Sequence, residues 1–285
     1  MKSMYEDKRI NWYPGHMAKA LRLLTEQLRR VDFVMELCDA RLPHSSRNPD
    51  LNRLVKDKPK ILIMNKADLA DPGLNDLWLK SFRNEGLDAM LLTAKKIRKA
   101  EILQHIYKAT ETVRARAMQK GFNKTIRGMV IGVPNVGKST LINSLSGTAS
   151  AKTGDKPGVT KSNQWIRIDP YIELMDTPGL LWPRMDDQKA ALKLGWLGTI
   201  GENAVDMDHL AMSFLDEISS VAPEALVERM HIDHPELKGV DLLDAVCAGR
   251  GWLIKGGVSD YDRCFHVVLD EFRSGKLGRM TLEAP

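Results

Sequence analysis

Met17, Leu21, Leu24, Leu28 and Val31 recur at steps of 4, 3, 4 and 3, which gives the start of the chain one apolar helix face. Lys19, Arg22 and Arg29 fall on the remaining faces. The pattern then changes. "VDFVMELCDA" is a nearly unbroken apolar run and reads as a buried strand, and "KPKILIMNKAD" and "LDAMLLTAKK" read as two more strands ending in polar loops. A helix around Leu74 to Asn84 lies between these two, so strand and helix alternate and a parallel sheet is expected.

Leu103, Ile106, Thr110, Val113 and Ala117 restore helical spacing and predict one long helix over residues 97–120, ended by Gly121. "TIRGMVIGV" reads as a strand feeding a glycine-rich loop, and "KSTLINSLSG" as the helix that leaves it. "NQWIRIDPYIELMDTPG" reads as two strands joined at Asp169-Pro170, because proline is excluded from the interior of a central strand. Beyond about Pro183 only helical spacing remains, near 187–197, 207–219, 223–230, 240–249 and 260–274, punctuated by Pro223, Pro235, Gly239 and Gly256-Gly257. The expected architecture is an α/β domain with a mostly parallel sheet over residues 1–185, followed by a small all-α domain over 186–285.

Three stretches carry chemistry. "GVPNVGKS", from Gly132 to Ser139, fits G-x-x-x-x-G-K-[ST] and stands between a predicted strand and a predicted helix, the setting that a phosphate cradle requires. Asn135, Val136 and Gly137 would line the cradle with backbone N–H groups, and Thr140 opens the helix behind it. Lys138 is expected on the β and γ phosphates and Ser139 on Mg²⁺. "ELMDTPG" places Asp176 at the end of an apolar strand, where its carboxylate would serve Mg²⁺, and Gly179 where its amide would meet the γ phosphate. In the polar loop between them Thr160 is the first choice for a switch hydroxyl on Mg²⁺, and Thr153 competes with it. Third, Asn65-Lys66-Ala67-Asp68 fits N-K-x-D: Asp68 can accept hydrogen bonds from guanine N1–H and the 2-amino group, donors that adenine lacks. Asn65 should brace this loop and Lys66 should lie along the base. "TAK" at 93–95 would supply Thr93 and the Ala94 N–H, the latter to guanine O6.

All parts of a GTP or GDP site are therefore present, but the base reader precedes the cradle. A parallel sheet tolerates that order, since strand positions in space do not fix where the termini fall. The expected fold is a circularly permuted Ras-like P-loop GTPase domain in which the helix over 97–120 joins the old ends. The segment after Gly179 then runs directly into the helical part, so movement set by the γ phosphate has a covalent path to it.

Charge changes the picture. The net +5 of the chain divides into +13 over residues 1–185 (32 Lys and Arg, 19 Asp and Glu) and −8 over 186–285 (10 and 18). A basic front half is the footprint expected of an RNA partner. Lys95, Lys96, Arg98 and Lys99 are the first candidates for RNA contact; Arg263, Arg273, Lys276 and Arg279 form a smaller basic group near the C-terminus. Cys38, Cys247 and Cys264 stand far apart without metal spacing and read as buried hydrophobes in a reducing, cytoplasmic setting. His231 and His234 lack the further ligands of a metal centre. No apolar run spans a membrane, the N-terminus lacks a signal-peptide core, and a monomer is expected.

The motif order, together with "NWYPGHM" (11–17), "DARLPHSSRNPDL" (39–51), "PGVT", "DTPGLLWP" and the closing "FRSGKLGRMTLE", resembles the circularly permuted GTPases of the ribosome biogenesis GTPase A (YlqF) type, nearly end to end. That resemblance implies a GTPase that binds rRNA of the large-subunit precursor, assists late 50S assembly, and hydrolyses GTP faster on the particle. Ras-like proteins orient the attacking water with a glutamine after D-x-x-G. Here Leu180 and Leu181 occupy that place, so the resemblance nominates His16 as the water-orienting group. Asn135 is similar to the asparagine of potassium-activated GTPases, which implies K⁺ beside the phosphates. An RNA-binding scaffold that scarcely turns nucleotide over is the alternative. A small-molecule kinase has no use for the guanine-reading Asp68.

Overall fold

The computed structural model describes residues 22–93, 97–147, 164–179, 181, 188–201 and 205–285. They form two compact units, 22–181 with Glu283–Pro285, and 188–282. The last three residues, read from the sequence with the helical part, thus group with the first unit.

In the first unit a helix whose described part is residues 22–28 (α1) leads into β1 (Phe33–Asp39), α2 (Pro49–Leu54), β2 (Lys60–Asn65), α3 (Pro72–Asn84) and β3 (Asp88–Leu91). Two helices, α4 (Lys99–Ala109) and α5 (Glu111–Gln119), connect β3 to β4 (Ile126–Ile131); α6 (Lys138–Ser146), β5 (Trp165–Asp169) and β6 (Ile172–Asp176) follow. The strand order is β3-β2-β1-β4-β6-β5, parallel except for β5, which runs antiparallel to β6. Strands from the first third of the chain therefore occupy one side of β4, and those that follow it occupy the other. This is the permuted Ras-like sheet, of the α/β class. β1 is buried along its whole length, as a strand inside a parallel sheet must be, whereas edge strand β5 alternates buried Ile166 and Ile168 with exposed Arg167.

The stripe read at the start of the chain packs as expected where it is described: Leu24, Leu28 and Val31 meet Val34, Leu51, Val55, Met129, Ile131 and Met175 in one core cluster. A second cluster joins Trp78 and Phe82 of α3 to Cys38, Leu62, Met64 and Ala89.

The single helix expected over 97–120 is broken in two. Its turning point is Thr110, fully buried at φ −108°, ψ 11°, whose hydroxyl donates to the Ile106 carbonyl at 2.7 Å. A threonine bonded back to the i−4 carbonyl bends a helix, and burial prevents water from competing for that hydroxyl. Gly121 ends α5 at φ 82°, with its N–H on the Met118 carbonyl and the Phe122 N–H on that of Ala117. That is the paired C-terminal lock that glycine permits.

The second unit comprises α7 (Gln188–Trp196), α8 (Met207–Val221), α9 (Pro223–Met230), α10 (Gly239–Gly249), a two-stranded hairpin of β7 (Leu253–Ile254) and β8 (Val258–Ser259), and α11 (Tyr261–Ser274). Phe214 of α8 centres its core, with ring centroids 5.6 Å from Trp196 and 4.8 Å from Phe272. The hairpin is an addition to the helices expected there; Gly256 and Gly257 turn it at φ 91° and 77°. Arg273, read as part of a basic surface group, instead donates to the Trp196 and Gly195 carbonyls at 3.0 Å each and so closes the C-terminus of α7.

Candidate functional site

β4 delivers the chain into the Gly132–Gly137 loop at the edge of the sheet where β1, β2 and β6 also end. Asn135 and Gly137 take positive φ, 62° and 94°, and α6 then begins at Lys138 without a side-chain cap on its first N–H groups. Loop and uncapped helix start together concentrate donors and partial positive charge. Asparagine is among the residues that tolerate the left-handed region, which gives Asn135 a backbone reason for being there. Gly137 has a different reason. A Cβ on it would stand 2.4 Å from the Asn65 amide nitrogen, so only glycine lets the two loops meet.

A buried hydrogen bond joins them. Asn65 Nδ2, at the end of β2, donates to the Val136 carbonyl at 2.7 Å across 71 positions of sequence, and both groups are buried. The base-reading loop is thereby fastened to the phosphate loop despite the reversed order. On the other side Gly179 presses against Pro134, whose Cα and nitrogen lie 2.6 Å from where a Cβ would stand, and Thr177 Oγ1 donates to the Val130 carbonyl at 2.6 Å. D-x-x-G and the cradle are thus in contact.

Lys138 is buried, and its ammonium donates to the carbonyls of Val133 at 2.8 Å and Gly132 at 3.2 Å. Burial pushes its pKa down to about 8, a fall that nearby Asp176 partly offsets. Ser139 Oγ donates to Asp176 Oδ2 at 2.7 Å. Thr140, half-buried on α6, follows directly.

In the base loop Lys66 sits at φ 60° and its ammonium reaches Asp39 Oδ2 at 3.0 Å. The Ala67 N–H donates to the Leu92 carbonyl, and Asn75 Nδ2 donates to that of Ala67 at 3.2 Å. Asp68 is exposed, and one of its oxygens accepts from Thr93 Oγ1 at 3.0 Å. Twelve sequence-derived residues are accordingly gathered at one edge: Asn65, Lys66, Asp68, Thr93, Asn135, Val136, Gly137, Lys138, Ser139, Thr140, Asp176 and Gly179. His16, Ala94, Thr153, Thr160 and Leu180 lie outside the described residues.

What the sequence reading passed over is the support of Lys66. Asp39 and Arg41, 0% and 1% exposed, form a two-pronged pair at 2.9 and 2.8 Å, with Lys66 on the same carboxylate. Burial alone would raise the Asp39 carboxyl, but Arg41 and Lys66 outweigh it and hold the group below the usual carboxylate range. Ser46 completes the loop by accepting from the Asp39 N–H at 2.8 Å, and Glu283 accepts from the His44 and Ser45 N–H groups at 2.8 and 3.1 Å. The available signal was a charged pair two residues apart at the end of an apolar strand, where each charge needs a partner.

Comparison with known proteins gives the family. The family described as 50S ribosome-binding GTPase matches residues 127–227. Ribosome biogenesis GTPase A of Priestia megaterium is 41% identical over 284 residues, covering 97% of each chain, and that of Bacillus cereus is 42% identical over 281 residues, covering 97% of this chain and 94% of its own. The chain belongs to the ribosome biogenesis GTPase A family. Among solved structures, GNP-bound YlqF from T. maritima shares 26% identity at a TM-score of 0.66 over 94% of this chain and 98% of its own. A GDP-bound YlqF gives 0.67 over 93% and 99%, also at 26% identity. As a member of the ribosome biogenesis GTPase A family the chain binds guanine nucleotides and hydrolyses GTP.

Replacing Asn65 with Ala leaves the buried Val136 carbonyl without its donor. The expected loss of stability is about 1–3 kcal/mol in urea unfolding. A change inside about 0.5 kcal/mol, the range of an ordinary surface substitution, would show that the bond does not hold the loops together.

Proposed function

We propose that this chain is a cytoplasmic, monomeric GTPase that binds rRNA on the large-subunit precursor, assists late 50S assembly, and leaves the particle when GTP is hydrolysed to GDP and phosphate. The observation that carries the nucleotide half of this reading is the Asn65–Val136 bond, which sets a guanine reader beside a phosphate cradle. The ribosomal half rests on the relatives, which also include a mitochondrial ribosome-associated GTPase 1 of Mus musculus, 38% identical and covering 95% of this chain and 89% of its own. Within the described residues no helix is long and apolar enough to cross a membrane.

In this reading Asp68 takes guanine N1–H and the 2-amino group, oriented by Thr93, while the Ala94 N–H takes O6. Lys66, fixed by Asp39, lies along the base. The N–H groups of Asn135, Val136 and Gly137, with Thr140 behind them, receive the phosphates, Lys138 reaches the β and γ groups, and the Gly179 amide meets the γ phosphate. Ser139 and Asp176, already 2.7 Å apart, offer the hard oxygen pair that suits Mg²⁺, with Thr160 as the third contact. When bound, Mg²⁺ neutralises charge on the β and γ oxygens. His16 orients a water whose oxygen attacks the γ phosphorus, and the bond to the β–γ bridging oxygen breaks to release GDP. Asn135 would ligate K⁺ beside the cradle, where the cation would offset charge that develops in the transition state.

Turnover measured with and without 50S precursors, in K⁺ and in Na⁺ salts, together with co-sedimentation, tests the whole. Binding to the precursor that depends on GTP, and hydrolysis that rises on the particle, are expected. Equal, negligible rates in both conditions would leave an RNA-binding scaffold, and equal rates in Na⁺ and K⁺ would remove the cation. An Asp68→Asn change should cost GTP affinity by roughly tenfold or more while relaxing selection against ATP, because a carboxylate contact to two donors is lost. Full retention of GTP selectivity would remove Asp68 from the base site.

Lys138 sets a pH dependence. Its pKa of about 8 in the nucleotide-free fold lies below the 10.5 of an exposed lysine. Between those values the unfolded chain holds more protons, so the empty protein gains stability as pH rises through 8. Nucleotide binding has the opposite sign, since phosphates need the protonated amine. Affinity should be level below about pH 8 and fall about tenfold per pH unit above it, with proton uptake visible by titration calorimetry in buffers of different ionisation heat.

A further inference from the structure

A second surface lies at the other end of β4. That strand runs six residues from Ile126 to the cradle, which at roughly 3.3 Å per residue separates its two ends by about 20 Å. Around Ile126 a small cavity of about 140 Å³ is lined by Tyr107 of α4, Arg114 and Met118 of α5, Lys124, and Tyr171 in the turn between β5 and β6. The parts are fixed in place. Tyr107 OH donates to Asp169 at 3.1 Å, the Arg114 guanidinium lies 4.5 Å over the Tyr107 ring, and the Ile126 N–H holds the Tyr171 carbonyl at 2.8 Å.

Beside this ordered frame stand side chains with no internal use. Met118, Phe122 and Tyr171 are 65%, 52% and 50% exposed. Residues 108–127 carry six Lys and Arg against one Asp or Glu, a net +5 that equals the charge of the whole chain. Lys124 is paired with Asp32, but Lys108, Arg116 and Lys120 make no ion pair among the described residues. Basic and apolar side chains alternate around α5 rather than separating onto two faces, which does not suit a lipid surface. Cations interleaved with exposed rings suit a polyanion that also offers flat apolar faces.

We propose that this face binds a single-stranded RNA segment, with one base entering the cavity to stack on Tyr171 and the outer plane of Arg114, and with its flanking phosphates on Arg116 and Lys120. The inference rests on the rRNA reading above and gives that contact a place and a mode. Guanidinium planes and tyrosine rings are the usual supports for unstacked bases, and Arg114 is already held flat by Tyr107. A duplex keeps its bases stacked inside and can use only the charges.

Fluorescence anisotropy of a labelled ten-nucleotide RNA, single-stranded and as its duplex, at several salt concentrations tests this on the full chain. The Met118→Ala, Tyr171→Ala pair should bind the single strand about tenfold or more weakly, with duplex binding and basal GTP hydrolysis unchanged. Tyr171→Phe should restore most of the loss. The Arg116→Gln, Lys120→Gln pair should lower the salt slope for the single strand by about 1.4, at roughly 0.7 for each phosphate contact. Equal weakening for single strand and duplex would reduce the face to bare charge and overturn the proposal. So would unchanged binding by the alanine pair, or absence of single-strand binding by the unaltered protein. If co-sedimentation with 50S precursors persists in any of those cases, the rRNA reading survives and only this site falls; if it is lost as well, both fall.

Discussion

The nucleotide edge depends on the contact in which the Asn65 amide donates to the Val136 carbonyl. Both partners are buried, so the bond does not compete with water, and it stands between two loops that each need a non-standard backbone: Lys66 at φ 60° and Gly137 at φ 94°. Such conformations persist only where neighbours over-determine them. The sheet brings the loops close enough. β1 pairs with β2 on one side and β4 on the other, both parallel, so the carboxyl ends of the base-reading and phosphate-holding strands emerge at one edge, one strand apart. Chain order does not enter that geometry, which is why moving the termini leaves the site intact.

β1 does more than space its neighbours. Two carboxylates interrupt its apolar run, and each is neutralised locally: Asp39 by Arg41 and Lys66, Glu36 by Arg47 at 3.0 Å and Lys60 at 3.3 Å. A buried carboxylate without such partners would be destabilising by several kcal/mol, so the pairs are required once the charges are there. Two buried charges at this edge, Asp39 and Lys138, differ in kind. Asp39 has two cations and is held ionised. Lys138 has two carbonyls and one shared carboxylate, which leaves its ammonium under-compensated and its pKa near 8. In the proposed site a phosphate would supply the negative charge that Lys138 lacks, whereas Asp39 is already satisfied by Arg41 and Lys66.

Much of this was legible in the amino-acid pattern, and the exceptions have identifiable causes. Strands inside a parallel sheet announce themselves as short apolar runs and an edge strand by alternation, and all six strands of the first unit, four to seven residues long, were readable. The motifs were readable because each fixes a backbone or charge requirement that few residue types meet. The break at Thr110 was hidden because Ile106, Thr110 and Ala117 keep helical spacing on both sides of it, and periodicity is blind to one hydroxyl bonding back to a carbonyl. The hairpin at 253–259 was hidden because two-residue strands are too short to show alternation. Glu283 was assigned to the wrong unit because its carboxylate meets the His44 and Ser45 N–H groups more than 200 positions earlier, a distance over which no local pattern carries information.

The position of the second surface bears on how nucleotide state can be reported. β4 is hydrogen-bonded along both edges, to β1 and to β6, so it is among the stiffest elements of the first unit. A face built around its first residue does not rearrange when a phosphate arrives or leaves at its last, because a fully paired strand has one arrangement rather than two. On the proposal made above, RNA at this face would be an anchor whose own contacts do not change between GTP and GDP, and release from the particle would have to be set elsewhere. The D-x-x-G motif, Asp176 to Gly179, is followed by only eight residues, 180–187, before α7 begins. In an unpermuted chain those residues would return to the sheet; here they enter a helical unit. The permutation therefore separates two places along the chain: the start of β4, where the proposed RNA face lies, and the covalent exit from D-x-x-G into the helical unit.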